Sequence, residues 1–71
     1  MIQPRSTTTV LFDDVKVGDI LSVEYLDGHL TLAQVIAKSS NNEPRRLILS
    51  AERGWMDYIM GKHDTVTKVF F

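Results

Sequence analysis

Between Gly18 and Ala37 the chain reads GDILSVEYLDGHLTLAQVIA, and the Asp27-Gly28 pair at its centre constrains the fold more than any other feature. An Asp-Gly step between two runs of β-formers is the strongest short-range signal for a hairpin. Read as a two-residue type I′ turn, it requires φ > 0 at both central residues, which Asp tolerates and Gly adopts at little steric cost. That turn predicts a register in which Tyr25 faces Leu30, Val23 faces Leu32 and Leu21 faces Gln34. Side chains alternate with period 2, so one face carries Leu21, Val23, Tyr25, Leu30, Leu32 and Ile36, interrupted only by Gln34. The other face carries Ser22, Glu24, Thr31 and Ala33, with His29 near the turn and Ile20, Leu26 and Val35 near the strand ends.

With 71 residues the chain has room for one domain and one small core. A domain of this size buries only roughly 60% of its unfolded surface, so good packing or association is needed to hold it together. It has no Cys, which leaves no disulfide framework and no thiolate metal site, and fits a reducing compartment. Neither a signal peptide nor an apolar run long enough to span a bilayer is legible, so the expectation is a soluble cytoplasmic protein without membrane attachment. The net charge of −1 argues against attraction of nucleic acid over the whole surface. Charge is nonetheless divided. Residues 1–35 set two cations against five carboxylates, net −3, and residues 36–71 set six cations against four carboxylates, net +2.

Residues 1–9, MIQPRSTTT, read as a flexible arm before a domain over 10–71, although Thr8 to Phe12 also suits a strand at a sheet edge. Asp13-Asp14 and Lys16 to Asp19 read as turns leading into the hairpin, and Lys38 to Pro44 as the clearest loop. Arg45 to Ser50 reads as a strand with Leu47 and Leu49 on one face. Residues 50–61, SAERGWMDYIMG, admit two readings. One is a helix capped by Ser50 and ended by Gly61, with Trp55, Met56, Ile59 and Met60 as its apolar stripe. The other is a hairpin through Glu52-Arg53-Gly54, returning Trp55 to Met60 against Arg45 to Ser50. Gly54 disfavours a helix interior and Trp, Tyr and Ile favour a strand, so the hairpin is preferred. Thr65 to Phe71 closes the chain as a strand. Strands from Asp19, His29, Arg45, Trp55 and Thr65 therefore predict an all-β, five-stranded small barrel or strongly bent antiparallel sheet.

Val17-Gly18-Asp19 before the first long strand, the Asp27-Gly28 hairpin, the loop from Ser39 to Pro44, and Asp64 to Val69 as last turn and strand resemble the SH3-like small barrels. That group includes Tudor, chromo-barrel and KOW-type modules, and the resemblance covers about Val15 to Phe71. It implies binding rather than catalysis. Tyr25, Trp55 and Tyr58 are the aromatics available for a cage of the Tudor kind, and the glycine spacing of the KOW motif is absent.

No catalytic constellation stands out. The carboxylates have turn or surface explanations, the four glycines are scattered, and His29, His63, Asp27 and Asp64 lack any recognised metal-ligand spacing. The expectation is a non-enzyme with no cofactor and no metal. Arg45, Arg46, Arg53, Trp55, Tyr58 and Lys62 form the candidate partner-binding set, because Arg, Trp and Tyr dominate interface hot spots. A lone Trp also suits a core, and Met56 and Met60 suit gap-filling there. The function expected is a non-catalytic accessory or regulatory protein that binds a protein partner, as an adaptor or as an inhibitor. Its size is typical of phage, plasmid and operon accessory proteins. The alternative is nucleic-acid binding, with the same cations on phosphate and Trp55 or Tyr58 stacking on bases. Homodimer formation would also help so small a domain.

Overall fold

A computed structural model describes residues 6–40 and 44–71. They form six strands: β1 (Ser6–Leu11), β2 (Ile20–Glu24), β3 (Leu30–Lys38), β4 (Arg45–Ala51), β5 (Gly54–Met60) and β6 (Thr65–Phe70), with a single 3₁₀ turn at Phe12–Asp14. All belong to one antiparallel sheet in the order β1-β6-β2-β3-β4-β5. The closing strand β6 pairs with β2, the first strand of the hairpin, and also takes on β1, so there are six strands rather than five. The sheet does not close, because β1 and β5 end it. Its curvature is strong all the same, since the end of β2 and strand β5 border one groove although two strands separate them in the sheet.

Residues 50–61 resolve as the hairpin, with Ser50 opposite Trp55 and Ala51 opposite Gly54. Of the arm expected over residues 1–9, Ser6–Thr9 lie within β1 and pair with β6, while residues 1–5 lie outside the described residues, as do residues 41–43 of the long loop. Ser39 ties that loop's ends, its hydroxyl donating to the Pro44 carbonyl at 2.9 Å and accepting the Arg46 N–H at 3.1 Å.

The first hairpin differs from expectation by one residue. The Gly28 N–H donates to the Tyr25 carbonyl at 2.9 Å, and the Tyr25 N–H donates to the His29 carbonyl at 2.8 Å. Gly28 has φ +90°, and no described non-glycine residue has positive φ, so Asp27 does not supply the second left-handed position of a type I′ turn. The loop is Leu26-Asp27-Gly28, the three-residue form that ends on a left-handed glycine. An odd loop moves the register by one, pairing Leu21 with Ala33, Val23 with Thr31 and Glu24 with Leu30. Tyr25–Leu30 and Val23–Leu32 are therefore not pairs, and every β3 side chain changes face.

The core consequently takes Ala33 and Val35 from β3 and leaves Leu30, Leu32 and Ile36 exposed. Leu21, Leu47 and Leu49 are 0% exposed, packed with Phe12, Val15, Val23, Met60 and Val66. The β3 register shifts again between Val35 and Ala37, where a bulge sharpens the bend. At the entry to β2, Gly18 has φ +99° and donates to the Val35 carbonyl at 2.7 Å. Asp19 accepts the Lys16 N–H at 2.8 Å and lies 3.3 Å from the Lys68 ammonium, fastening β6 to the start of β2. No helix among the described residues is long and apolar enough to cross a membrane.

Candidate functional site: the free edge of β5

Strand β5 is bonded to β4 on one side and, among the described residues, to no strand on the other. Its sequence alternates cleanly. Trp55, Asp57 and Ile59 point to the convex outer face, where Trp55 is 81% and Ile59 59% exposed. Met56, Tyr58 and Met60 point inward, Met60 into the core and the other two packed against it. An edge strand presents a row of unpaired N–H and C=O groups, and natural edges are commonly protected by Lys, Pro or a bulge. Within Gly54–Met60 there is no Lys, no Pro and one charged residue, Asp57. Arg46, its neighbour on β4, pairs with Asp57 at 3.2 Å.

On the inner side the free edge faces the end of the first hairpin. Glu24, Tyr25 and Leu26 stand across from Met56, Asp57 and Tyr58, bounding a groove of about 380 Å³. The hairpin tip is held there by contacts to the β4–β5 turn. Arg53 Nη1 donates to Asp27 Oδ2 at 2.8 Å, and its guanidinium carbon lies 4.4 Å from the Tyr25 ring centroid. The Arg53 N–H donates to the Tyr25 hydroxyl at 3.2 Å. His29 stacks on Tyr25 with ring centroids 5.8 Å apart, and its Nε2 pairs with Glu52 Oε1. The His29 N–H and, secondly, the Arg53 side chain both donate to Asp27, which holds its carboxyl below the usual carboxylate range. The clasp is polar, exposed and built wholly from two turns, and its structural product is the far wall of the groove.

The six residues singled out from sequence are divided among three places. Trp55 and Tyr58 flank the free edge, one on each face. Arg46 lies beside it on the outer face, and Arg53 belongs to the clasp. Arg45 and Lys62 stand apart from them, in a separate cleft with Leu11, Phe12, Asp13 and His63. Sequence reasoning overlooked Glu24, Leu26, Asp57 and Ile59. Ile59 and Asp57 share the alternation that exposes Trp55, so the signal was present once β5 was read as a strand. Glu24 and Leu26 reach β5 only through the bend of the sheet, which leaves no local trace. His29 and His63 lie in different turns, and no three His, Asp or Glu among the described residues are grouped to hold a metal ion. No protein-family model matches the chain, and no curated protein or solved structure shows significant similarity to it.

Proposed function

We propose that this chain is a non-catalytic, cytoplasmic interaction module that accepts an extended segment of a protein partner on the free edge of β5. The observation that supports this reading is the unpaired edge bordered by side chains suited to binding on both faces. An added strand forms main-chain hydrogen bonds to the edge for affinity, and its alternate side chains supply specificity. One set would enter the groove beside Glu24, Tyr25, Met56 and Tyr58, and the other would lie along Trp55 and Ile59. Glu24 has no ion-pair partner among the described residues, so a Lys or Arg flanked by apolar residues is the segment that fits best. A protein that captures such a segment regulates its partner by withholding it, which is how the module would act as an accessory or inhibitory protein.

Nucleic-acid binding is supported less well. Two of its four proposed phosphate ligands, Arg46 and Arg53, already pair with carboxylates, and Arg45 and Lys62 stand apart from both, so the cations do not line one track. Photo-cross-linking in the source cell tests the protein reading. A benzophenone side chain at position 57 should cross-link a protein, one at Thr8 on the opposite edge should not, and Ile59→Lys should abolish the product. Cross-linking that survives Ile59→Lys, or that comes equally from Thr8, rejects the β5 edge. A product made of nucleic acid rejects the protein partner.

A further inference from the structure

We propose a second, separate site: the cleft between the 3₁₀ turn and the β5–β6 turn binds a small organic oxyanion carrying an apolar ring. The register that sets Arg45 opposite Met60 brings the first residue of β4 beside the turn holding Lys62 and His63. Leu11, Phe12 and Asp13 complete a cleft of about 270 Å³. Three other surface cations among the described residues are matched, while Lys16 on the turn before β2 is not. Arg46, Arg53 and Lys68 lie 3.2, 2.8 and 3.3 Å from Asp57, Asp27 and Asp19. Arg45 and Lys62 have no carboxylate within ion-pair distance among the described residues.

A third cation stands behind the cleft wall. The half-buried Lys38 ammonium donates to the carbonyls of Phe12 at 2.9 Å and Val15 at 2.7 Å, and lies 4.5 Å from the Phe12 ring centroid. Both partners are neutral carbonyls, and Lys38 has no carboxylate within ion-pair distance among the described residues. Against Arg45, Lys62 and Lys38 stand Asp13, which lines the cleft, and Asp14 next to it. Asp64, beside His63, has its carboxylate bonded to the Gly61 N–H at 2.8 Å. Among the side chains that line the cleft itself, Arg45 and Lys62 set two positive charges against the one negative charge of Asp13, and that margin favours an anion. The Arg45 guanidinium offers the forked donors that suit a phosphate or carboxylate, and the exposed Leu11 offers an apolar contact, with Phe12 beside it buried in the core. The volume is at the small end for ligand sites and takes one charged group and one ring. Only two of the surface arginines and lysines line it, which suits a single anionic group better than a polynucleotide backbone.

The test is an amide NMR titration of the full chain with phenyl phosphate, benzoate and inorganic phosphate at constant ionic strength. Saturable shifts should centre on Asp13, Arg45, Lys62 and His63. Phenyl phosphate or benzoate should bind more tightly than inorganic phosphate, and the tighter of the two identifies the oxyanion. Arg45→Gln and Lys62→Gln should each weaken binding about tenfold, the loss of one charge-assisted hydrogen bond, while Arg46→Gln changes nothing. Shifts that rise without saturating, or affinities untouched by both cleft variants, overturn the site. A single-stranded oligonucleotide that binds far more tightly and also shifts Arg46 and Arg53 overturns the small-molecule reading. Neither cleft substitution lies on the groove beside the free edge of β5, so failure here leaves the edge-binding proposal standing.

Discussion

Gly28 shows how one backbone angle propagates. At φ +90° it occupies a region that L-residues enter at a cost, so Gly28→Ala should lose about 1–2 kcal/mol in urea unfolding. The shifted register it sets can be tested by charge. Val35→Asp, in the core, should abolish folding, whereas Leu32→Asp on the outer face should leave the circular dichroism spectrum and unfolding midpoint nearly unchanged. The opposite outcome would restore the two-residue turn. Asp27 carries a pH dependence of known sign. Its folded carboxyl titrates below the ordinary value of 3.8, so its contribution is present above that value and is lost as pH falls through the lower, folded one. Asp27→Asn should therefore show a shallower loss of stability in acid below pH 3.8, measured by unfolding across that window.

Among the elements, the two hairpins behave as partners. The β2–β3 tip supplies a wall of the groove, and the β4–β5 turn holds it there through Arg53 over Tyr25 and His29 with Glu52. These contacts are exposed and exchange freely with water, so their role is positional more than stabilising. Arg53→Ala should speed amide exchange around Tyr25 to His29 while leaving the global unfolding midpoint almost unchanged. Exchange rates left as they are would show that the tip is held by the sheet alone. Hairpin β4–β5 was legible from sequence once Gly54 and the aromatics were weighed together, and Leu47 and Leu49 share a buried face as their spacing predicts. Trp55 stood open between core and surface. Its size suits a core, and only the parity fixed by the Ser50–Trp55 pair sends it outward.

For the whole molecule, stability rests on a short roster of aliphatic side chains. A domain of this length is stable by about 4–11 kcal/mol, and Leu47→Ala, at a fully buried position, should remove about 2–5 kcal/mol of it. Strand β1 stands at the other extreme: among the described residues it pairs only with β6, and it is exposed along most of its length. Hydrogen exchange should accordingly be fastest in β1 and slowest in β3 and β4, which are paired on both sides or central to the core. The bend of the sheet is also a whole-molecule property. It brings β2 to β5 and makes the groove, whereas the alternation of side chains along β4 is what turns Arg45 and Arg46 to opposite faces.

What the amino-acid sequence determined by itself is local. Alternation, β-branched and aromatic runs, and glycine at the turns are read over a few residues, and they suffice for an all-β chain, for both hairpins and for a closing strand. The tertiary structure decided whatever depends on counting across a turn or on curvature. A loop of two or three residues around Asp27-Gly28 differs little in local preference, and the choice is settled by whether Ala33 and Val35 or Leu30 and Leu32 fill the space over Leu21, Leu47 and Leu49. The smaller pair fits, and the larger pair is left on the outside of the sheet.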